Sequence, residues 1–138
     1  MSIRFLLVIT CAAMLLSASC KKSAPDNPVA DKLEGGWVNV ANVVDTGGNH
    51  IFGDHDLYDS IHNNYVIEYY TGGRGEILLS GMSAGNFTWQ LLVNNTYLQT
   101  TISGSPSTLQ YIDSLSATTL ILLDTTGISY TWMVFAKQ

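Results

Sequence analysis

Cysteine is nearly absent from this chain, and basic residues and proline are scarce, so each scarcity excludes something. The two cysteines, Cys11 and Cys20, both fall in the first twenty residues. Nothing from residue 21 onward can therefore form an internal disulfide or offer a thiolate to a structural zinc site. Stability of that part has to come from burial of apolar surface. After Cys20 there are five Lys and Arg against eleven Asp and Glu, a net charge of −6. Such a balance excludes the phosphate-neutralising surface of a nucleic-acid binder and the polybasic patch of a membrane-surface protein. Catalytic signatures are missing too. There is no G-x-S-x-G elbow. The run Gly72-Gly73-Arg74-Gly75 lies between two strand-like segments and opens no helix, so it reads as a hairpin turn and not as a phosphate cradle. An enzyme is not expected, nor is a cofactor.

What is present begins with MSIRFLLVITCAAMLLSASC, which has one positive charge at Arg4, an uncharged run from Phe5 to Leu16, and small residues up to Cys20. The run is shorter than the ~20 apolar residues of a spanning helix, which is the pattern of a secretion signal over 1–19. Leu16-Ser17-Ala18-Ser19-Cys20 resembles the lipobox of bacterial lipoproteins, in which the peptide is cut before the cysteine and the cysteine is acylated. That resemblance implies a membrane anchor at Cys20. Residues 20–32 then serve as acylated cysteine and tether, with Pro25, Pro28, small residues and no hydrophobic period. Residues 33–138 make one domain of 106 residues, large enough for a continuous core.

Turn signals recur in that domain about every ten residues: Gly72-Gly73, Gly81 to Gly85, Asn94-Asn95, Gly104 to Pro106, Ser116-Ala117 and Thr125 to Gly127. Between them lie runs of β-branched and aromatic residues, which predict an all-β domain. Eight strands are expected, near 36–44, 64–70, 74–80, 86–93, 96–103, 108–115, 118–124 and 128–137. Six of the seven connections are short, which favours a small antiparallel up-and-down barrel over a sandwich with long crossings. Alternation predicts that Phe87, Trp89, Leu91 and Val93 share an inward face, as do Tyr65, Ile67 and Tyr69. Strands near 118–124 and 128–137 are apolar on both faces and leave the inward set open. The aromatic residues Tyr65, Tyr69, Trp89, Tyr111 and Trp132 are candidates either for a packed core or for the lining of a ligand pocket.

Leu33-Glu34-Gly35-Gly36-Trp37, the long first connection, the F-T-W-Q-L-L run at 87–92 and the Y-T-W-M-V-F-A-K ending together resemble the lipocalin-like lipoproteins of Bacteroidetes, over essentially all of 33–138. The resemblance implies that Trp37 lies across the closed end of a barrel as a structural residue, and that 45–63 form a lid over the open end. The chain differs from the long lipocalins in lacking their threonine-aspartate-tyrosine motif and the helix after their last strand, and strands of about seven residues around eight staves leave little interior beyond their own side chains.

The lid segment holds all three histidines, His50, His55 and His62, with Asp54, Asp56 and Asp59. Their spacing matches neither a calcium loop nor a standard zinc site, so a solvated lid is expected and no metal. Two functions stand at this point. One is a membrane-anchored binder of a small hydrophobic molecule in the barrel, and the other is an envelope interaction module with a filled barrel and a protein partner. Lys21-Lys22 after the cysteine differs from the acidic export tags of surface lipoproteins in the phylum, which implies the outer membrane facing the periplasm.

Overall fold

The computed structural model describes residues 27–46, 48, 51–52, 65–126 and 129–138, and the backbone of 57–60. A short helix, α1 (Pro28–Leu33), precedes nine strands: β1 (Gly35–Val44), β2 (Leu57–Ser60), β3 (Tyr65–Tyr70), β4 (Arg74–Leu79), β5 (Met82–Leu92), β6 (Tyr97–Ile102), β7 (Thr108–Leu115), β8 (Thr119–Asp124) and β9 (Thr131–Lys137). From β3 onward each strand pairs antiparallel with its successor, and β9 returns to pair with β1 from Trp37 to Val44. The sheet closes on itself, which removes the free edges that would template aggregation. The other edge of β1 is shared: β2 runs along Ala41–Val44 and β3 along Gly35–Val38. These two strands lie end to end as one stave, so the barrel has the eight staves expected from the sequence.

Most strand ends agree with those expected to within a residue; β9 begins at Thr131 instead of near 128, and three further differences have a physical cause. The tether gives way to a helix at Pro28, because Asn27 caps it: its side-chain oxygen accepts from the backbone N–H groups of Val29 and Ala30, and Pro28 fills the first helical position. With only Ala30 and Leu33 as apolar anchors, six residues are too few to show a helical period. The segment expected to be a lid over 45–63 contains β2, which continues the barrel wall along β1. Finally β5 begins at Met82, before the expected 86, because Ser80 and Gly81 alone make the hairpin turn, both at positive φ. The small residues after Gly81 are absorbed by a bulge opposite Ile77 and Leu78.

One bulge decides which side chains face inward. Across from β9, Asn39 pairs with Phe135 and Ala41 with Val134, so Val40 is an extra residue. Before the bulge Trp37 and Asn39 point into the barrel; after it Asn42 does, and Ala41 and Val43 turn to the outer wall.

The core fills one end. Leu33, Trp37, Tyr69, Phe87, Trp89, Leu98, Leu120 and Phe135 form a continuous buried cluster there, and α1 lies against it through Ala30 and Leu33. Trp37 is fully buried, and its indole N–H donates to the Leu33 carbonyl at 2.6 Å. The Lys137 ammonium stands 4.8 Å above the indole ring and donates to the carbonyls of Lys32 and Glu34, tying the last strand to the end of the helix. Among the described residues no helix is long and apolar enough to cross a membrane.

Candidate ligand cavity

Above that core the interior is not filled. A cavity of about 240 Å³ extends toward the opposite end, where Asn42, Tyr65, Ile102 and Thr108 stand at the ends of their strands. Its apolar wall is made by Ile67, Ile77, Phe87, Leu122, Met133 and Phe135, and its polar points are Asn39, Asn42, Thr100, Thr108, Gln110 and the two tyrosines Tyr65 and Tyr69. None of the described lining residues is charged. Burial pushes the Tyr65 hydroxyl above its ordinary ionisation range, and it pushes the Tyr69 hydroxyl much further, with Tyr65 adding to the effect. Both stay neutral at any physiological pH.

The floor depends on a missing side chain. A Cβ at Gly75 would lie 2.1 Å from the Phe87 Cζ and 2.7 Å from the Glu68 carbonyl, so the Phe87 ring occupies the space that glycine leaves. Tyr69 meets Phe87 and Trp89 edge to face, with centroids 5.5 and 5.8 Å apart. These contacts fix the base of the cavity.

The expected lining residues separate into three groups. Tyr65 and Tyr69 do line the cavity. Trp89 points inward but belongs to the core below, where its indole N–H donates to the carbonyls of Tyr70 and Arg74 and holds the β3–β4 turn. Tyr111 and Trp132 are on the outer wall, a correction with a simple cause. Gln110 and Met133 line the cavity, and their neighbours along the strand must face the other way. Tyr111 there meets Tyr97 across the strands at 5.5 Å. Trp132 pairs with Val43 and Leu123, is 1% exposed, and is met edge to face by Phe52 at 5.8 Å. The first connection thus sends at least one side chain down the outer wall instead of only across the mouth.

Asn39, Asn42, Gln110 and Met133 were not singled out from the sequence. The β1 bulge that turns both asparagines inward has no local sequence signal, whereas Gln110 follows from ordinary alternation with Thr108 and Ile112. The histidines His50, His55 and His62, the aspartates Asp54 and Asp56, and Cys20 lie outside the described residues; Asp59 is placed only by its backbone pairing with Asn42. Among the described residues no three His, Cys, Asp or Glu side chains gather as they would around a metal.

An eight-stave antiparallel barrel, closed in sequence order, plugged at one end by a tryptophan and hollow toward the other, is a lipocalin-like fold. The chain is similar to a lipocalin-like protein from Bacteroides uniformis ATCC 8492 of known crystal structure, with a TM-score of 0.57 and 13% sequence identity, covering 78% of this chain and 99% of that one. This bears out the fold class expected from the sequence. No protein-family model and no curated protein matches the chain.

Proposed function

We propose that this protein binds a small, mostly apolar molecule inside its barrel, without catalysis, while a lipid on Cys20 holds it at the outer membrane facing the periplasm. The observation that carries the binding reading is the cavity of about 240 Å³ with an apolar, uncharged described lining. Its size lies just under the ~300 Å³ at which pockets for drug-sized ligands begin, which suits a single ring or a short chain. A packed barrel of this girth would have no such space, so a filled interaction module is the weaker reading. The lipid anchor rests on the lipobox-like run before Cys20 and on the absence of any other cysteine beyond it.

Toluene is a suitable probe of the cavity. In a methionine-methyl-labelled domain, titration with toluene should move the Met133 methyl resonance, and Ile67→Trp, which fills the cavity from the β3 wall, should abolish the shift. A Met133 resonance that ignores toluene, or responds equally in the filled variant, contradicts the binding reading. The anchor is tested separately. Cys20→Ser should end incorporation of labelled palmitate and release the protein from the membrane fraction; continued lipid labelling would overturn it.

A further inference from the structure

The asparagines of the cavity wall are oriented. Asn39 is 7% exposed, and its amide nitrogen is committed three ways, to the Ala41 carbonyl at 3.3 Å, the Val134 carbonyl at 3.2 Å and the Asn42 side-chain oxygen at 3.5 Å. Three acceptors on that side fix which end of the amide is nitrogen, because the flipped amide would set its oxygen against three other oxygens. Two of these acceptors are carbonyls at the β1 bulge and on the strand across from it, so the bulge holds the side chain in place. The consequence lies on the other end of each amide. Among the described residues nothing donates to the Asn39 side-chain oxygen. The Asn42 oxygen is occupied by Asn39, and its own amide nitrogen has no acceptor there.

Two neighbouring lining side chains, Asn39 buried and Asn42 half-buried, thus leave one acceptor and one donor unpaired among the described residues. Buried polar groups are rarely left in that state. A second group of the same wall repeats the pattern. The Tyr69 hydroxyl is on a side chain only 2% exposed, lines the cavity, and has no hydrogen-bond partner among the described residues. A buried tyrosine usually finds one. Charge is excluded from the missing partner as well, since no described lining residue could neutralise it and desolvating an unpaired ion is costly.

Building on the binding reading above, we propose that the cavity selects an uncharged amphiphile, with a small apolar body and one head that both donates and accepts hydrogen bonds. A primary amide or a hydroxyl fits. The head donates to the Asn39 oxygen and accepts from the Asn42 amide, while the body lies against Ile67, Ile77, Leu122 and Met133. A carboxylate fails on two counts: it has no proton for Asn39, and its charge is left unpaired.

Three probes of nearly one shape separate these terms: toluene has no head, benzamide has donor and acceptor, and benzoate has charge and acceptors only. In calorimetric or NMR titration of the native domain, benzamide should bind at least tenfold tighter than either toluene or benzoate. Asn42→Asp retains the acceptor that Asn39 uses and removes the donor, so it should lower the ratio of benzamide to toluene affinity several-fold. Should that variant fail to fold, Asn42→Leu removes the same donor without adding charge and should give the same result. If the three probes bind alike, or the ratio of benzamide to toluene affinity is undiminished in both variants, the proposed head recognition is wrong and the apolar cavity reading stands. If toluene too fails to bind, that reading falls with it.

Discussion

Trp37→Ala is expected to cost about 3–5 kcal/mol of stability, the usual range for truncating a buried tryptophan, and to lower Tm by more than about 10 °C in a domain of this size. The indole is fully buried, at the junction of β1, α1 and the end of β9. Removing it takes away the largest side chain of the plug, leaves the Leu33 carbonyl without its donor, and strips the Lys137 ammonium of the ring it covers. Neighbours cannot collapse into the gap, because Leu33, Leu98 and Leu120 are already fully buried in the same cluster. Trp37→Phe restores most of the volume and leaves chiefly the orphaned carbonyl, for which about 1–3 kcal/mol is the expected cost. Urea unfolding of both variants checks this. An alanine variant that melts with the native protein would mean that the plug is not what holds the barrel.

Trp132→Ala should be destabilising to a similar degree, about 3–5 kcal/mol, for a different reason and with a different functional result. Its ring is on the outer wall between Val43 and Leu123 and beneath Phe52, so the loss is felt between the sheet and the first connection. Met133 and Phe135, the inward neighbours in the same strand, keep their places around the cavity. Toluene affinity measured well below the lowered melting temperature should therefore be unchanged. A loss of binding in the folded Trp132→Ala domain would put the indole in the ligand site after all, against the geometry of β9.

The contrast between these two tryptophans shows what was legible in the sequence. Turn residues at regular intervals gave most staves to within a residue, since hairpins close through residues at positive φ, as at Ser80-Gly81 and Val93 to Asn95; the second of these turns carries Val93, expected inward, out to the surface. Alternation correctly faced Tyr65, Ile67 and Tyr69 inward because the opposite face there carries Glu68 and Tyr70. It was silent on β9, where Trp132 and Val134 are as apolar as Met133 and Phe135. The physical reason is that both faces of this strand are covered, inside by the core and outside, at Trp132, by Phe52. The polar side of the cavity was equally hidden. Asn39 and Asn42 are three apart, so strict period-two reading puts them on opposite faces, and only the extra residue Val40 brings both inside. Helix α1 left a trace in Asn27-Pro28, a cap followed by the residue favoured at the first helical position, but too few apolar residues follow to complete the pattern.

Above its plug the barrel is hollow. Apolar cavities of ~150 Å³ take up xenon, which needs no hydrogen bond and scatters strongly. Crystals of the domain pressurised with xenon should therefore show an anomalous peak inside the barrel, among Ile67, Ile77, Leu122 and Met133. Diffraction that shows the interior filled by side chains, with xenon absent or bound only on the outer wall, would contradict the account.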